Sequence, residues 1–418
     1  MKDLRTIILA AGKGVRMKSD LPKVLHQVCG KPSIRYVLDV AKSVGSLKIF
    51  VVAGYKSNLV KKELGKAANI IIQKKLLGTG DAIKNCADAF RGYKGDVLVL
   101  CGDTPLLRRE TVANLVRKHK STKAACTFLT ARVENPKGYG RIVRSGAKQV
   151  LAIREELDAS DAEREINEIN TGVYCFEAQG LFRAIKEIKP DNNKKEFYIT
   201  DTIELFLNEG KSVETVLTDD PKEGLGINTR EDLSTAQAAI RYRILKGFME
   251  SGVTIEDPAT THIDRGVKIG RDTVIRPFTV IEENVSIGNK CVIGPFCHLR
   301  PGTRIGNKIQ IGNFTEVSRT VIEEGTLVKH FSFLGDASIG RNVNIGAGTV
   351  TANYDGKKKN KTKISDGAFI GSDSILVAPL VVGKKAMTGA GSVVTRGTRI
   401  PDGGIAVGVP ARVRTRRK

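Results

Sequence analysis

Two stretches of the chain carry residue types and spacings that can do chemistry. The first is Leu9-Ala10-Ala11-Gly12-Lys13-Gly14-Val15-Arg16-Met17, followed closely by Leu21-Pro22-Lys23. Glycine lets backbone N–H groups approach an anion closely, and Arg16 and Lys23 add positive charge, so this stretch suits a phosphate. It lacks both the third glycine of the dinucleotide-binding G-x-G-x-x-G and the Lys-Ser/Thr pair that closes a P-loop, so neither of those sites is implied. The second stretch is Asn353 to Lys363, polar and cationic, near a histidine and further asparagines. It reads as a loop able to fold over an anionic ligand or over a neighbouring chain.

The elements that must position these stretches follow from hydrophobic period. From residue 1 to about 228, short β-branched runs (Thr6 to Leu9, Ile49 to Val52, Ile70 to Ile72, Val97 to Leu100) alternate with helical stretches, which is an α/β pattern of Rossmann-like kind. In such a sheet the ligand sits outside the carboxyl ends of the strands, where the glycine-rich segment and Gly102-Asp103 both fall. Residues 229–251 read as a connecting helix, with Thr229 and Asp232 in capping-box spacing and Leu233, Ala236, Ile240, Ile244 and Phe248 on one stripe. An ordinary last helix of the first domain fits the same residues. Beyond Gly252 the period becomes six, with Ile269, Ile275, Ile281, Ile287, Ile293, Leu299, Ile305, Ile311 and Val317 in unbroken series. A six-residue period means a solenoid in which three short strands make one triangular coil. The phase slips before a second series, Phe333, Ile339 and Ile345, and again across Asn353 to Lys363 before Ile364, Ile370, Leu376 and Val382. The organisation expected is therefore 1–228, a helix over 229–251, and a β-solenoid over 252–418.

Composition narrows the classes. A chain of 418 residues with 41% hydrophobic residues can bury two cores. No apolar run approaches the length of a membrane span and no export signal precedes Ile7, so a cytosolic protein without membrane attachment is expected. The seven cysteines are scattered without a C-x-x-C pair, which suggests reduced thiols, not a disulfide framework or a zinc site. The formal charge of +23 raises nucleic acid as a partner, but the cations are spread, with clusters only at Lys357 to Lys363 and Arg412 to Lys418. Aromatics at 5% and no tryptophan leave few stacking platforms, so no nucleic acid is expected.

The glycine-rich string with its R-M and P-K resembles the sugar nucleotidyltransferase family. The whole chain resembles the bifunctional branch that joins UDP-N-acetylglucosamine pyrophosphorylase to glucosamine-1-phosphate N-acetyltransferase. The resemblance continues in order through Gln73, Leu77-Gly78-Thr79-Gly80, Gly102-Asp103, Gly138-Tyr139-Gly140-Arg141-Ile142, Glu168-Ile169-Asn170-Thr171-Gly172, Tyr198-Ile199-Thr200-Asp201 and Asn228. It implies that Leu9, Ala10, Ala11, Gly12 and Lys23 hold UTP, that Gln73, Gly78 and Thr79 recognise uracil, and that Gly140, Glu155, Asn170 and Thr171 surround the sugar-1-phosphate. Asp103 and Asn228 would hold Mg²⁺, with Asn228 also at the nucleotide, and Arg16 and Lys23 would be catalytic. Three departures stand in this half: Val15 for a usual threonine, Cys101 for a usual tyrosine, and Asp81 where relatives often carry histidine.

In the solenoid the same resemblance runs through Leu299-Arg300-Pro301-Gly302, Gly312-Asn313-Phe314, His330, Leu334-Gly335-Asp336, Asn344 to Gly348, Asn353 to Gly356 and Gly371-Ser372-Asp373. It implies a left-handed parallel β-helix of hexapeptide repeats, acetyl-CoA as co-substrate and a homotrimer. His330 would be the general base for the sugar amine. Arg300, Asn344 and Lys359 would meet the acetyl acceptor, and Ala347, Asn353, Tyr354, Ser372 and Ala390 the acetyl-CoA. The family's lysine and tyrosine beside Arg300 are here Ser318 and Phe333. A charge-assisted hydrogen bond contributes roughly 1.5–3 kcal/mol, so the acceptor's phosphate is held less tightly. Arg319 is adjacent to Ser318, but a shift of one residue turns a strand side chain to the other face unless the coil slips there. Where relatives end with a CoA-contacting arginine, this chain has Gly408-Val409-Pro410-Ala411-Arg412. Two readings follow: uridylyl transfer to N-acetylglucosamine-1-phosphate with acetylation of glucosamine-1-phosphate, or uridylyl transfer with a β-helix that acetylates another acceptor or only oligomerises. A basic nucleic-acid-binding solenoid is a third.

Overall fold

Alternating residues of the β-branched runs face opposite ways, and in a computed structural model of the protein both faces are covered. Ile8, Val51, Leu98 and Leu100 lie in one buried cluster and Ile7, Val52, Val97 and Val99 in another. The structure describes residues 4–146 and 149–414, so the end of the Arg412 to Lys418 cluster, from 415 onward, lies outside the described residues. The chain divides into two units, Met1–Gln237 and Ala238–Lys418.

The first unit is built on a nine-stranded sheet. Its main path runs Val213–Leu217, Cys126–Arg132, Glu168–Glu177, Asp96–Cys101, Leu4–Ala10, Lys48–Ala53, Asn69–Ile72. The strand Glu168–Glu177 is antiparallel to both neighbours, and the other pairs along this path are parallel. From Leu4–Ala10 the chain moves outward through two strands on one side and returns with Asp96–Cys101 on the other. That reversal opens a crevice at the carboxyl ends of the two central strands. The helix Arg230–Glu250 begins with a reciprocal cap: Thr229 Oγ1 accepts from the Asp232 N–H at 3.1 Å, and Asp232 Oδ2 accepts from the Thr229 N–H at 2.8 Å.

The second unit is a parallel β-helix whose three sheets have ten, eight and eight strands. Nearly every strand from Ile275 through Ile400 places one aliphatic side chain inward, and these form a single buried column; Val350–Ala352 and Met387–Thr388 bury Thr351 and Thr388 instead. Several corner threonines are buried and paired; Thr326, for example, donates to the Gly340 carbonyl at 2.8 Å and accepts from the Val343 N–H at 3.1 Å. The second inward series differs from the sequence expectation. Val317 is aligned with Leu334, while Phe333 is aligned with Glu316 and faces outward. The reason is a shortened corner. Only five residues separate inward Val317 from inward Ile322, and five separate Leu334 from Ile339, instead of six. At these two corners Arg319 and Asp336 take φ near +50°, much as Phe278, Phe296 and Phe314 do at six-residue corners, so the shortening lies in the residue count and not in the turn's hand. The slip after Val317 is thus one five-residue rung on each of two successive coils, with six-residue rungs between them. The later one is an inserted loop between Val350–Ala352 and Thr362–Ile364, closed by a bridge between Tyr354 and Lys359.

Candidate functional sites

Lys23 starts a short 3-10 turn at the mouth of the crevice and carries its ammonium to Asp103, with Asn228 Oδ1 at 3.4 Å. Asp103 arrives there because the strand Asp96–Cys101 ends in a glycine whose N–H bonds the Leu9 carbonyl at 2.9 Å. Asn228 arrives because the Ile227 N–H bonds the Asp103 carbonyl at 2.8 Å. Burial opposes charge on Lys23, but the Asp103 carboxylate outweighs it and leaves the ammonium above its ordinary pKa. Two side-chain oxygens from distant segments therefore face one cation. Among the described residues no three His, Cys, Asp or Glu side chains gather as a metal cluster. A carboxylate and an amide oxygen are nonetheless the donors a hard divalent ion uses when phosphates and water complete its shell. Cys101, just before this pair, has its thiol pushed up to about 12 by burial and then by Asp103.

The glycine-rich loop is held at its base and open at its tip. Gly14 takes φ 62°, where a side chain is strained, and a Cβ there would lie 2.9 Å from that of Lys23. Met17 is buried, whereas Lys13, Val15 and Arg16 are exposed. Arg230 fastens the loop: its Nε donates to the Met17 carbonyl at 3.1 Å, and its Nη1 lies 3.2 Å from His26 Nδ1. Burial, and then Arg230, lowers the pKa of His26, which keeps its ring able to accept. Sequence reading passed over Arg230, because an arginine opening a helix carries no spacing signal. Tyr139 was legible only as part of a motif; burial, and then Asp232 and Asp103, raise the pKa of its hydroxyl against a backbone hydrogen bond from Gly226.

Gln73 follows the strand Asn69–Ile72 and is buried, its Nε2 donating to Asp81 Oδ2 at 2.8 Å and to the Gly78 carbonyl at 3.1 Å. Gly78 takes φ 104°, and a Cβ there would meet the Phe197 carbonyl at 2.5 Å. Thr79 Oγ1 accepts from the Ile199 N–H at 3.0 Å, which ties this corner to the Tyr198-Ile199-Thr200 segment. Glu155 lies behind, its pKa raised by burial although Thr200 donates to it at 3.3 Å. The Asn170 N–H bonds the Gly140 carbonyl at 2.8 Å, and Asn170 Nδ2 donates to the Tyr174 hydroxyl at 2.6 Å. Thr171 departs from expectation. Its hydroxyl is turned to the Leu129 carbonyl at 2.8 Å and its methyl packs against Gly224, so it is a buried strut of the sheet. Arg141 is also structural, with its guanidinium buried and paired to Glu156 at 2.8 Å.

In the β-helix the residues of interest, Asn344 apart, fall on two edges of one sheet. His330, exposed, precedes the strand Ser332–Gly335. The Gly348 N–H bonds the Phe331 carbonyl at 2.7 Å, that of Asp373 bonds Ala347 at 2.6 Å, and that of Gly391 bonds Ser372 at 2.8 Å. His330, Ala347, Ser372 and Ala390 therefore stand in one column, on successive coils. Asn344 faces outward on the neighbouring sheet. Arg300, Asn353 and the loop bearing Tyr354 and Lys359 instead follow the strands and line the opposite edge, roughly 13 Å away for a four-residue strand. On that edge Arg300 donates to Glu316 at 3.0 Å. Ser318 is buried. Arg319 binds both oxygens of Asp336, at 2.7 and 2.9 Å, and donates to Ser318 Oγ at 2.7 Å. The shortened corner comes after Ser318, which keeps register with Gly335, and Asp336 holds the Arg319 guanidinium. Asn353 is buried and donates to the same carboxylate at 2.5 Å. The loop is pinned by Asp355, which accepts from the Lys357 and Lys358 N–H groups at 3.0 and 2.8 Å. These bonds hold its carboxyl well below the usual range.

This architecture, a doubly wound sheet with a phosphate loop and a coil of six-residue rungs, is that of a nucleotidyltransferase joined to a hexapeptide-repeat transferase. Residues 5–227 match the nucleotidyl transferase family model, 284–319 the bacterial transferase hexapeptide model with six repeats, and 361–396 the hexapeptide repeat of succinyl-transferase. The coil is accordingly a left-handed parallel β-helix. Among curated proteins, the bifunctional protein GlmU of Pelotomaculum thermopropionicum is 45% identical over 413 residues, covering 90% of each chain. That of Pelobacter propionicus is 42% identical over 97% of this chain and 96% of its own, and that of Bacillus subtilis 42% over 93% and 92%. The chain belongs to the bifunctional GlmU family. It is an enzyme with two activities, a uridylyltransferase and an acetyltransferase of UDP-N-acetylglucosamine synthesis. No helix among the described residues is long and apolar enough to cross a membrane.

Proposed function

We propose that the crevice between Leu4–Ala10 and Asp96–Cys101 binds UTP and N-acetylglucosamine-1-phosphate, and that the two edges of the β-helix together bind acetyl-CoA and glucosamine-1-phosphate. The observation that carries the first half is the meeting of Lys23, Asp103 and Asn228 beside the glycine-rich loop. A sugar-1-phosphate oxygen is already ionised, so attack on the α-phosphorus of UTP needs no general base. What it needs is alignment and neutralised charge. The backbone of Leu9 to Gly12 and the Lys23 ammonium hold the phosphates, and exposed Arg16 swings over them from the loop tip. Mg²⁺ held by Asp103 and Asn228 would supply further charge neutralisation on the phosphate oxygens. Gln73, Gly78 and Thr79 face the base; Gly140, Glu155 and Asn170 face the sugar.

In the β-helix, His330 takes a proton from the sugar amine as it attacks the acetyl thioester. Arg300, Asn344 and Lys359 hold the acceptor, and Ala347, Asn353, Tyr354, Ser372 and Ala390 the acetyl-CoA. Because His330 and Arg300 lie on opposite edges of one sheet, a whole site draws on more than one copy of the chain, which supports a homotrimer. The helix Arg230–Glu250 serves as the joint between domains ending near residue 228 and beginning near 252.

Two assays test the reading: pyrophosphate release from UTP plus N-acetylglucosamine-1-phosphate, and free CoA thiol from acetyl-CoA plus glucosamine-1-phosphate. Chelation of divalent ions is expected to stop the first and leave the second. Loss of both, or of neither, sinks the assignment of Asp103 and Asn228 to an ion.

A further inference from the structure

The base-facing end of the crevice holds a carboxylate with an unusual partner. Gln73 is 4% exposed, and both bonds of its Nε2 run to pure acceptors, Asp81 Oδ2 at 2.8 Å and the Gly78 carbonyl at 3.1 Å. A carboxylate and a carbonyl only accept hydrogen bonds, so the amide cannot turn over without setting Oε1 against two oxygens. Asp81 is itself steadied by Asn85, whose Nδ2 donates to the Asp81 carbonyl at 2.7 Å and to Oδ2 at 3.3 Å. Gln73 Oε1 is thus the one amide atom without a partner among the described residues, and it is not among the buried orphans. Its surroundings are those of the crevice: the Gln73 N–H bonds Ala53, and a Cβ on Gly54 next to it would lie 2.8 Å from the Ala11 carbonyl.

We infer that Asp81 is a specificity-determining residue, which locks the Gln73 amide so that only an acceptor faces the nucleobase and thereby selects a pyrimidine with a ring N–H over one without. Uracil carries a hydrogen on N3 and can donate to Gln73 Oε1. Cytosine has a lone pair on N3, and its ring nitrogen would face Oε1 as acceptor against acceptor. A buried polar mismatch of that kind discriminates far more strongly than a difference in size. Asp81 touches no substrate atom in this scheme and acts through Gln73. The inference rests on the placement of the base at Gln73 in the proposed function.

The experiment compares kcat/KM for UTP and CTP with N-acetylglucosamine-1-phosphate in the wild-type enzyme and in Asp81→Asn, Asp81→Glu and Gln73→Ala. The wild type should prefer UTP by at least about a hundredfold. Asn at position 81 offers its own N–H group to a turned Gln73, so Asp81→Asn should cut the preference by about tenfold, chiefly by raising CTP turnover. Asp81→Glu, still a pure acceptor, should keep most of it. An unfolding transition of the nucleotidyl unit close to the wild type's, measured on the same samples, reports intact folding. An unchanged UTP/CTP ratio in Asp81→Asn, or an equal fall with both nucleotides, overturns the role of Asp81. If Gln73→Ala also leaves the ratio intact, the base does not lie at Gln73, and that part of the proposed function falls with it.

Discussion

The two halves of the chain assemble their chemistry by opposite means. In the nucleotidyl unit, Lys23 meets Asp103 and Asn228 across 80 and 205 residues of sequence. In the β-helix, the residues that stack are one coil apart: Asn289 bonds Asn307 across 18, and Arg319 bonds Asp336 across 17. A doubly wound sheet collects distant segments because every connection ends at the same edge of the sheet. A solenoid coil collects mainly its neighbours, so it builds ladders, such as Phe278, Phe296 and Phe314, stacked at 4.8 and 5.1 Å. The proposed solenoid site draws on groups from both edges of a sheet, whereas the proposed crevice gathers its groups at one.

That contrast can be broken most directly by separating the activities. Asp103→Ala should lower pyrophosphate release by at least about a hundredfold and leave CoA release untouched. His330→Ala should do the reverse, with a loss of about a hundred- to ten-thousandfold in acetyl transfer. A shared loss in either variant would mean that the halves do not work separately. Stability sharpens the point. A Cβ at Gly312 would stand 1.8 Å from the Lys329 carbonyl of the next coil, while at Gly12 it would meet nothing within 4 Å. Gly312→Ala should cost about 3 kcal/mol or more in thermal unfolding of the β-helix. Gly12→Ala should leave folding alone and raise KM for UTP. Equal melting curves would contradict the tight coil spacing. Next, Ser318→Lys with Phe333→Tyr should lower KM for glucosamine-1-phosphate by about tenfold. No gain would mean that buried Ser318 does not face the acceptor.

The smallest effect concerns charge. Asp264 is pushed up to about 6 by burial and then by Glu283 and Glu282. The folded protein then holds a proton that the unfolded chain releases nearer pH 4, so the stability linked to Asp264 falls as pH rises through that window. Asp264→Asn should raise the melting temperature of the β-helix at pH 7, with the gain shrinking toward pH 4. A gain that persists at pH 4 would point to packing instead.

Much of this was legible in the residues themselves. Period six announced the solenoid because one inward aliphatic per rung is the least a coil needs to fill its axis, and Ile275 to Val317 keep it without a break. The strands around Ile8, Val51 and Val99 declared a two-faced sheet by their unbroken apolar runs, and the glycine-rich string declared a phosphate loop by its need for bare backbone. Periodicity alone did not give Phe333 and Leu334 their faces. That depended on how many residues a corner takes, and Arg319 and Asp336 turn theirs in one fewer. Tertiary contact also decided that Thr171 props the sheet, that Arg230 anchors Met17, and that Asp81 holds Gln73. Each of these rests on one hydrogen bond between segments that no local pattern connects. Local sequence determines which way a side chain alternates and what it can bond; only the folded chain determines which partner is within 3 Å.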